Sequence, residues 1–255
     1  MRMSTKWSFL VSAWVLAASC GGNSSGSTPT TPTPVTTTFQ GTIAGANNQT
    51  GTLTVTVQAQ VAAVSTRFFR WPFVATLHAQ SSVSATGSFR PAGGATTQLT
   101  GTYDTTTRAI SLSGGGYTFT GAAAGATIGG SYTGPGGAAG AFSSRSTAGG
   151  TVTVYCGNVF GAPPDTGVVT GVFNLAVSDQ SGAVSGAFII SADDPDTVGI
   201  LAGQVTGTAV SLTGTATAGK SVGATVSVTG TIQGGAFSGS SNTGNPASGS
   251  TSRCQ

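Results

Sequence analysis

Apolar residues recur at every second position along most of this chain, a spacing that admits β-strands and little else. Leu53, Val55 and Val57 share one face, with Thr52, Thr54 and Thr56 between them. Phe173, Leu175 and Val177 repeat the pattern, as do Val226, Val228 and Ile232. Successive side chains of a strand point to opposite faces, so such segments bury one face and wet the other. Glu is absent and Lys occurs only at positions 6 and 220, which removes the usual formers of long helices. Turn signals punctuate the strands at Ala46–Gly51, Asp104–Thr107, Asp179–Gly182 and Gly234-Gly235. Gly87, Gly186, Gly203 and Gly230 stand inside strand patterns, where glycine permits the bends that let a sheet curl. The expected fold class is all-β: an antiparallel meander forming a small barrel or a two-sheet sandwich.

The meander reads as two related halves, residues 39–148 and 149–255. Ala109–Gly114 (AISLSG) recurs as Ala209–Gly214 (AVSLTG), and Gly51–Val57 has the pattern of Gly171–Val177. A third block, Gly125–Ile128, recurs as Gly223–Val226, each followed by a Gly-rich stretch ending at Phe142 or Phe237. The three blocks keep their order, as internal duplication requires. Matched blocks lie about 120 residues apart early and about 100 later, so the first half holds roughly twenty extra residues near Val61–Gln80.

The beginning of the chain carries a different signal. Arg2 and Lys6 precede the apolar run Trp7–Ala18, which is shorter than the roughly 20 residues a membrane-spanning helix needs. Leu16-Ala17-Ala18-Ser19-Cys20 then gives way to a tail of Gly, Ser, Thr and Pro. This arrangement resembles the bacterial lipoprotein signal. Ala17 stands where that pattern prefers Leu, with Leu16 one place earlier. The resemblance implies a signal peptide over 1–19, a diacylglyceryl group on Cys20, and a cell envelope protein anchored by lipid. Gly21 rather than Asp after the cysteine is similar to lipoproteins sorted to the outer membrane of diderm bacteria. Residues 20–38, with Pro29, Pro32 and Pro34 among Ser and Thr, are expected to form a flexible-to-extended tether.

Beyond the leader, seven Lys and Arg face six Asp, so the body is near neutral. Nucleic-acid binding rests on neutralising several phosphates at once and is not expected. A membrane-spanning barrel would need aromatic girdles, yet one Trp (Trp71) and four Tyr remain. With Cys20 lipidated, Cys156 and Cys254 are left as a pair, which an oxidising compartment joins.

Motifs that suggest chemistry lack their contexts. Gly22–Gly26 fits G-x-S-x-G but lies in the tether rather than between a strand and a helix. Gly134–Gly140 resembles a dinucleotide fingerprint but leads into strand-like Ala141-Phe142. Asp193-Asp194-Pro195-Asp196 is the one acidic cluster; it lacks the spacing of a calcium loop and reads as a hairpin connection. No catalytic residue, metal ligand or cofactor is assigned.

The extra residues are the one chemistry-rich stretch. They include Arg67, Phe68, Phe69, Arg70 and Trp71, with the single histidine at His78. Arg and Trp serve as interface anchors, and aromatic faces stack on sugars and cations. These six residues form the candidate binding surface, against the plainer alternative of an extra hairpin filling the core. The expected function is non-enzymatic: a binding or structural role in the envelope, with an envelope protein or a glycan as partner. A glycan-active enzyme or accessory module is one alternative. A barrel carrying a small apolar ligand is the other.

Overall fold

The computed structural model describes residues 35–59, 81–162, 164 and 167–255. The leader, Cys20 and the candidate surface Arg67, Phe68, Phe69, Arg70, Trp71 and His78 lie outside the described residues. The chain folds into two closed antiparallel barrels of eight strands each. The first comprises β1 (Val35–Gly45), β2 (Gln49–Ala59), β3 (Ser82–Pro91), β4 (Thr97–Asp104), β5 (Ala109–Gly114), β6 (Tyr117–Ala124), β7 (Thr127–Thr133) and β8 (Ala139–Ser146). The second comprises β9 (Val152–Phe160), β10 (Val169–Ser178), β11 (Ala183–Ile190), β12 (Thr197–Thr206), β13 (Ala209–Ala218), β14 (Thr225–Gln233), β15 (Ala236–Ser241) and β16 (Pro246–Ser250).

Each barrel is an up-and-down meander whose last strand returns to its first. Strand β8 pairs with β1 from Phe39 opposite Ser146 to Gly45 opposite Gly140. Strand β16 pairs with β9 from Ala247 opposite Val159 to Ser250 opposite Cys156. Closure removes the free edges that an open sheet would expose. Of the two architectures open from the sequence, the barrel is formed. Val35–Thr38, which the composition assigns to the tether, are the first residues of β1. Tight turns join the strands where the sequence signals them. Asn47 and Asn48 both adopt φ 58° between β1 and β2, a left-handed conformation that Asn tolerates. Asp104 Oδ1 accepts the amides of Thr106 and Thr107, each at 2.8 Å. The Thr107 amide, then that of Thr106, holds this carboxyl below its usual range.

Strand positions test the duplication. Gly51–Val57 and Gly171–Val177 lie in β2 and β10, the second strand of each barrel. Ala109–Gly114 and Ala209–Gly214 lie in β5 and β13, the fifth strand of each. The third block does not correspond: Thr127-Ile128 opens β7, a seventh strand, whereas Thr225-Val226 opens β14, a sixth. The twenty-residue difference falls between β2 and β3, which are separated by residues 60–81, against 179–182 between β10 and β11.

Alternation then sorts the side chains. In the first barrel Leu53, Val55, Phe89, Phe119 and Ile128 are among the residues that fill the interior. In the second, Leu175, Val184, Phe188 and Leu212 do so. The outward residues of the first barrel form hydroxyl rows that run across strands in register. One row is Thr56, Thr86, Thr100, Ser113, Thr118 and Thr133, spanning β2 to β7. A second is Ser84, Thr102, Ser111, Thr120 and Ser131. Hydroxyls outside and hydrocarbon inside is the reverse of the apolar outer band of a lipid-facing barrel. Glycine is demanded where strands crowd: a Cβ on Gly203 would strike the Ser211 carbonyl, and one on Gly230 the Ser238 carbonyl.

The two barrels belong to one compact unit, Pro32–Gln255. Where they meet, the outward faces of β1, β8, β10 and β11 exchange hydroxyls for small apolar groups. Ala44, Ala141, Val172, Ala187 and Ile189 form a separate buried cluster there. Asn174 is fully buried among them. Its amide nitrogen donates to the Ile43 carbonyl of the first barrel, and its Oδ1 accepts the Gly157 amide at 3.0 Å. Cys156 and Cys254 form a disulfide, with Cα atoms 5.1 Å apart and a sequence separation of 98. It ties the turn after β16 to the middle of β9, and a loop of this length stabilises by about 4–5 kcal/mol in the chain-entropy account.

Asn174→Ala strips partners from two buried backbone groups, one in each barrel. It is expected to lower the unfolding free energy by about 1–3 kcal/mol, read from urea denaturation. A variant as stable as the parent would show that the amide bridge contributes nothing to holding the barrels together.

Candidate functional site

The two barrels have topologically equivalent ends, and these ends differ. In the first barrel the relevant end gathers the finish of β1, β3, β5 and β7 and the start of β2, β4, β6 and β8. Aromatic rings close it. Phe89 meets Tyr117 edge-on at 4.8 Å and Phe119 at 5.4 Å, while Phe119 stacks on Tyr132 at 5.5 Å and meets Phe142 at 5.6 Å. Tyr132 Oη donates to Gln49 Oε1 at 2.7 Å, fastening the plug to the start of β2. Edge-to-face and offset rings at these separations attract beyond their hydrophobic burial.

The matching end of the second barrel lacks most of these rings. Phe188 holds a place near the end of β11, as Phe89 does in β3. Strands β14, β15 and β16, however, bring Val226, Val228, Ser241 and Ala247 where β6, β7 and β8 bring Tyr117, Phe119, Tyr132 and Phe142. The result is a cavity of about 400 Å³ opening at this end. Its floor is apolar, made chiefly by Val159, Phe173, Phe188, Ala216, Val228 and Ala247. Phe173 and Phe237 pack ring against ring at 5.2 Å just beneath.

The rim is polar and largely occupied with itself. Asn245 Nδ2 donates to the Phe160 carbonyl at 3.0 Å, and Thr243 Oγ1 donates to Asn245 Oδ1 at 3.0 Å. Asn242 Oδ1 accepts the Ser227 amide at 3.2 Å, and Thr197 Oγ1 accepts the Ser221 amide at 3.1 Å. These bonds connect neighbouring loops and set the width of the opening. Asp193 also lines it, and its Oδ1 lies 4.0 Å from Lys220 Nζ on the facing loop. The acidic connection Asp193–Asp196, which turns through a cis Asp194–Pro195 bond, thus contributes its first residue to the cavity's lip.

None of the sequence-derived candidates among the described residues lines this cavity. Cys156 and Cys254 are bonded to each other, and the candidate binding surface lies outside the described residues. Among the described residues, no three His, Cys, Asp or Glu side chains converge as a metal-ligand set. What the sequence reading missed is the cavity itself. The signal was present but faint: residues 109–146 carry four aromatic rings, whereas residues 209–250 carry Phe237 alone. Compared with known proteins, the chain matches no family model, no curated protein and no solved structure.

The plugged end makes its own forecast. Burial, and secondarily the neighbouring Tyr117, pushes the Tyr132 phenol well above its ordinary range. Below about pH 10 folded and unfolded chains both keep this proton and its contribution is whole; above that only the unfolded chain loses it, so stability falls as pH rises. Tyr132→Phe is expected to flatten that alkaline decline. It should also cost about 1 kcal/mol at neutral pH through the lost bond to Gln49. Urea unfolding at about pH 8 and about pH 11 measures both; an alkaline slope as steep as the parent's would contradict the assignment.

Proposed function

We propose that this is a lipid-anchored protein of the bacterial envelope whose second barrel binds a small, largely apolar molecule at its open end. One observation carries the binding part: equivalent ends of two related barrels, one plugged by stacked rings and the other open. A barrel that needed only to be stable would be filled as its neighbour is, since empty interior space forfeits packing energy. The cavity also falls within the range of about 300–1,000 Å³ over which small-molecule sites occur. The first barrel, fully packed and joined through Asn174, acts as the rigid support. The anchoring part is supported by Arg2, Lys6, the apolar run Trp7–Ala18 and Cys20. Binding fits the lining better than glycoside hydrolysis, which uses a pair of carboxylates where this cavity wall presents Asp193 beside a lysine. An envelope protein or glycan meeting the Arg67–His78 stretch is compatible with this reading and independent of it.

Fluorescence titration with the neutral apolar dye N-phenyl-1-naphthylamine tests the cavity. The parent is expected to bind and brighten the dye, and Ala247→Phe, which fills the floor, to weaken binding about tenfold or more. Equal binding by a folded Ala247→Phe variant would remove this site. For the anchor, Cys20→Ser is expected to move the exported protein from the membrane fraction to the soluble one. Retention of the variant on membranes would refute lipidation at that residue.

A further inference from the structure

Charge is distributed unevenly between the halves. Residues 39–148 carry Arg67, Arg70, Arg90, Arg108 and Arg145 against Asp104 alone. Residues 149–255 carry Lys220 and Arg253 against Asp165, Asp179, Asp193, Asp194 and Asp196. Within the second half the acids are not spread evenly. Three of the five stand on the connection between β11 and β12, at the lip of the open cavity. The cation facing them is Lys220, on the connection between β13 and β14. Its side chain is 63% exposed and reaches Asp193 only at 4.0 Å, so it holds that carboxylate loosely. Most neutral polar side chains of the rim are engaged with one another or with backbone, and Ser221 and Thr225 add only uncharged hydroxyls. The charged group of the lining, and so the one that sets which charge an entering molecule can carry, is the Asp193 carboxylate.

We infer that the open end of the second barrel selects a cationic amphiphile, an aromatic or aliphatic body bearing an ammonium group. This rests on the reading that the cavity is a ligand site and adds the charge of the ligand to it. The apolar body lies against Phe173 and Phe188, whose ring faces also attract a cation. The ammonium sits at Asp193, displacing Lys220 into solvent. An anionic ligand would meet the Asp193 carboxylate, with Asp194 and Asp196 on the same connection, and a neutral one gains at most a hydrogen bond where an ammonium gains a charge-assisted pair. A cleft bordered by one sign of charge concentrates the opposite ion at its entrance.

Three molecules of one shape separate these cases: 2-naphthylmethylammonium, 2-naphthylmethanol and 2-naphthoate, titrated calorimetrically into the purified protein at low salt. The ammonium is expected to bind about tenfold tighter than the alcohol, with the naphthoate weakest. Asp193→Asn should bring ammonium and alcohol within about twofold of each other, chiefly by weakening the ammonium. The unliganded thermal midpoint of the variant serves as its folding control. Equal affinity for alcohol and ammonium in the parent would overturn the charge preference and leave the cavity reading intact. An ammonium preference that survives Asp193→Asn would overturn the role of that carboxylate. Failure of all three to bind would remove the cavity reading, and this inference with it.

Discussion

An eight-stranded sheet closed on itself encloses an interior of nearly fixed width, which side chains must fill or leave open. Both barrels of this protein inherit that geometry, and nearly every other feature follows from how it is met. The period-two pattern sends hydrocarbon inward and, away from the junction of the barrels, hydroxyl outward over much of the wall. Glycines such as Gly203 and Gly230 let neighbouring backbones approach closely where the wall bends. With strand number and pairing the same in both copies, the difference between them reduces to what occupies the inside. Phe89, Tyr117, Phe119 and Tyr132 complete the first interior. Val226, Val228, Ser241 and Ala247 leave the second incomplete at the corresponding end.

The junction between the barrels shows the same economy. Strands β1, β8, β10 and β11 place Ala, Val and Ile among their outward residues at the junction, beside the buried Thr42, Ser143 and Ser185. A purely apolar contact of such small residues would slide. Asn174 fixes it, since its amide reaches a backbone group in each barrel and has no water to fall back on. A buried polar group of this kind stabilises one arrangement strongly because every alternative leaves it unpaired. Thr42, also buried, bonds the Gly51 carbonyl within the first barrel at 2.8 Å, and its Oγ1 meets Cys156 Sγ of the second at 3.7 Å.

Much of the fold was legible before any coordinates. Alternation at Leu53–Val57 and Phe173–Val177 identified strands, and the turn residues at Asn47-Asn48 and Asp104–Thr107 sit where chains reverse. The choice between barrel and sandwich was not legible, because it turns on the long-range pairings of β8 with β1 and β16 with β9, which local pattern does not encode. The third repeat block was misleading for a related reason. In a chain so rich in Gly, Ala and Thr, a four-residue likeness at Gly125 and Gly223 arises between strands of different rank. The cavity was the least legible feature. It is a shortage of volume, and a shortage becomes visible only once register places Val228 and Ala247 opposite Phe173 and Phe188. The sequence marks Asp193 as an acid in a loop, but its position on the lip depends on the same register.

The hydroxyl rows on the barrel wall have a consequence for how the molecule is met from outside. Uncharged hydroxyls hold a hydration layer but project no field beyond it, so an ion drifting toward the side of the cylinder feels almost nothing at a distance. In the first barrel Arg90 and Arg145 stand on β3 and β8, but no strand of the second carries a charged residue, so its acidic lip is not diluted by charges along its own wall. The second barrel is therefore electrically quiet around its wall and directional at its open end, an arrangement that favours end-on encounter.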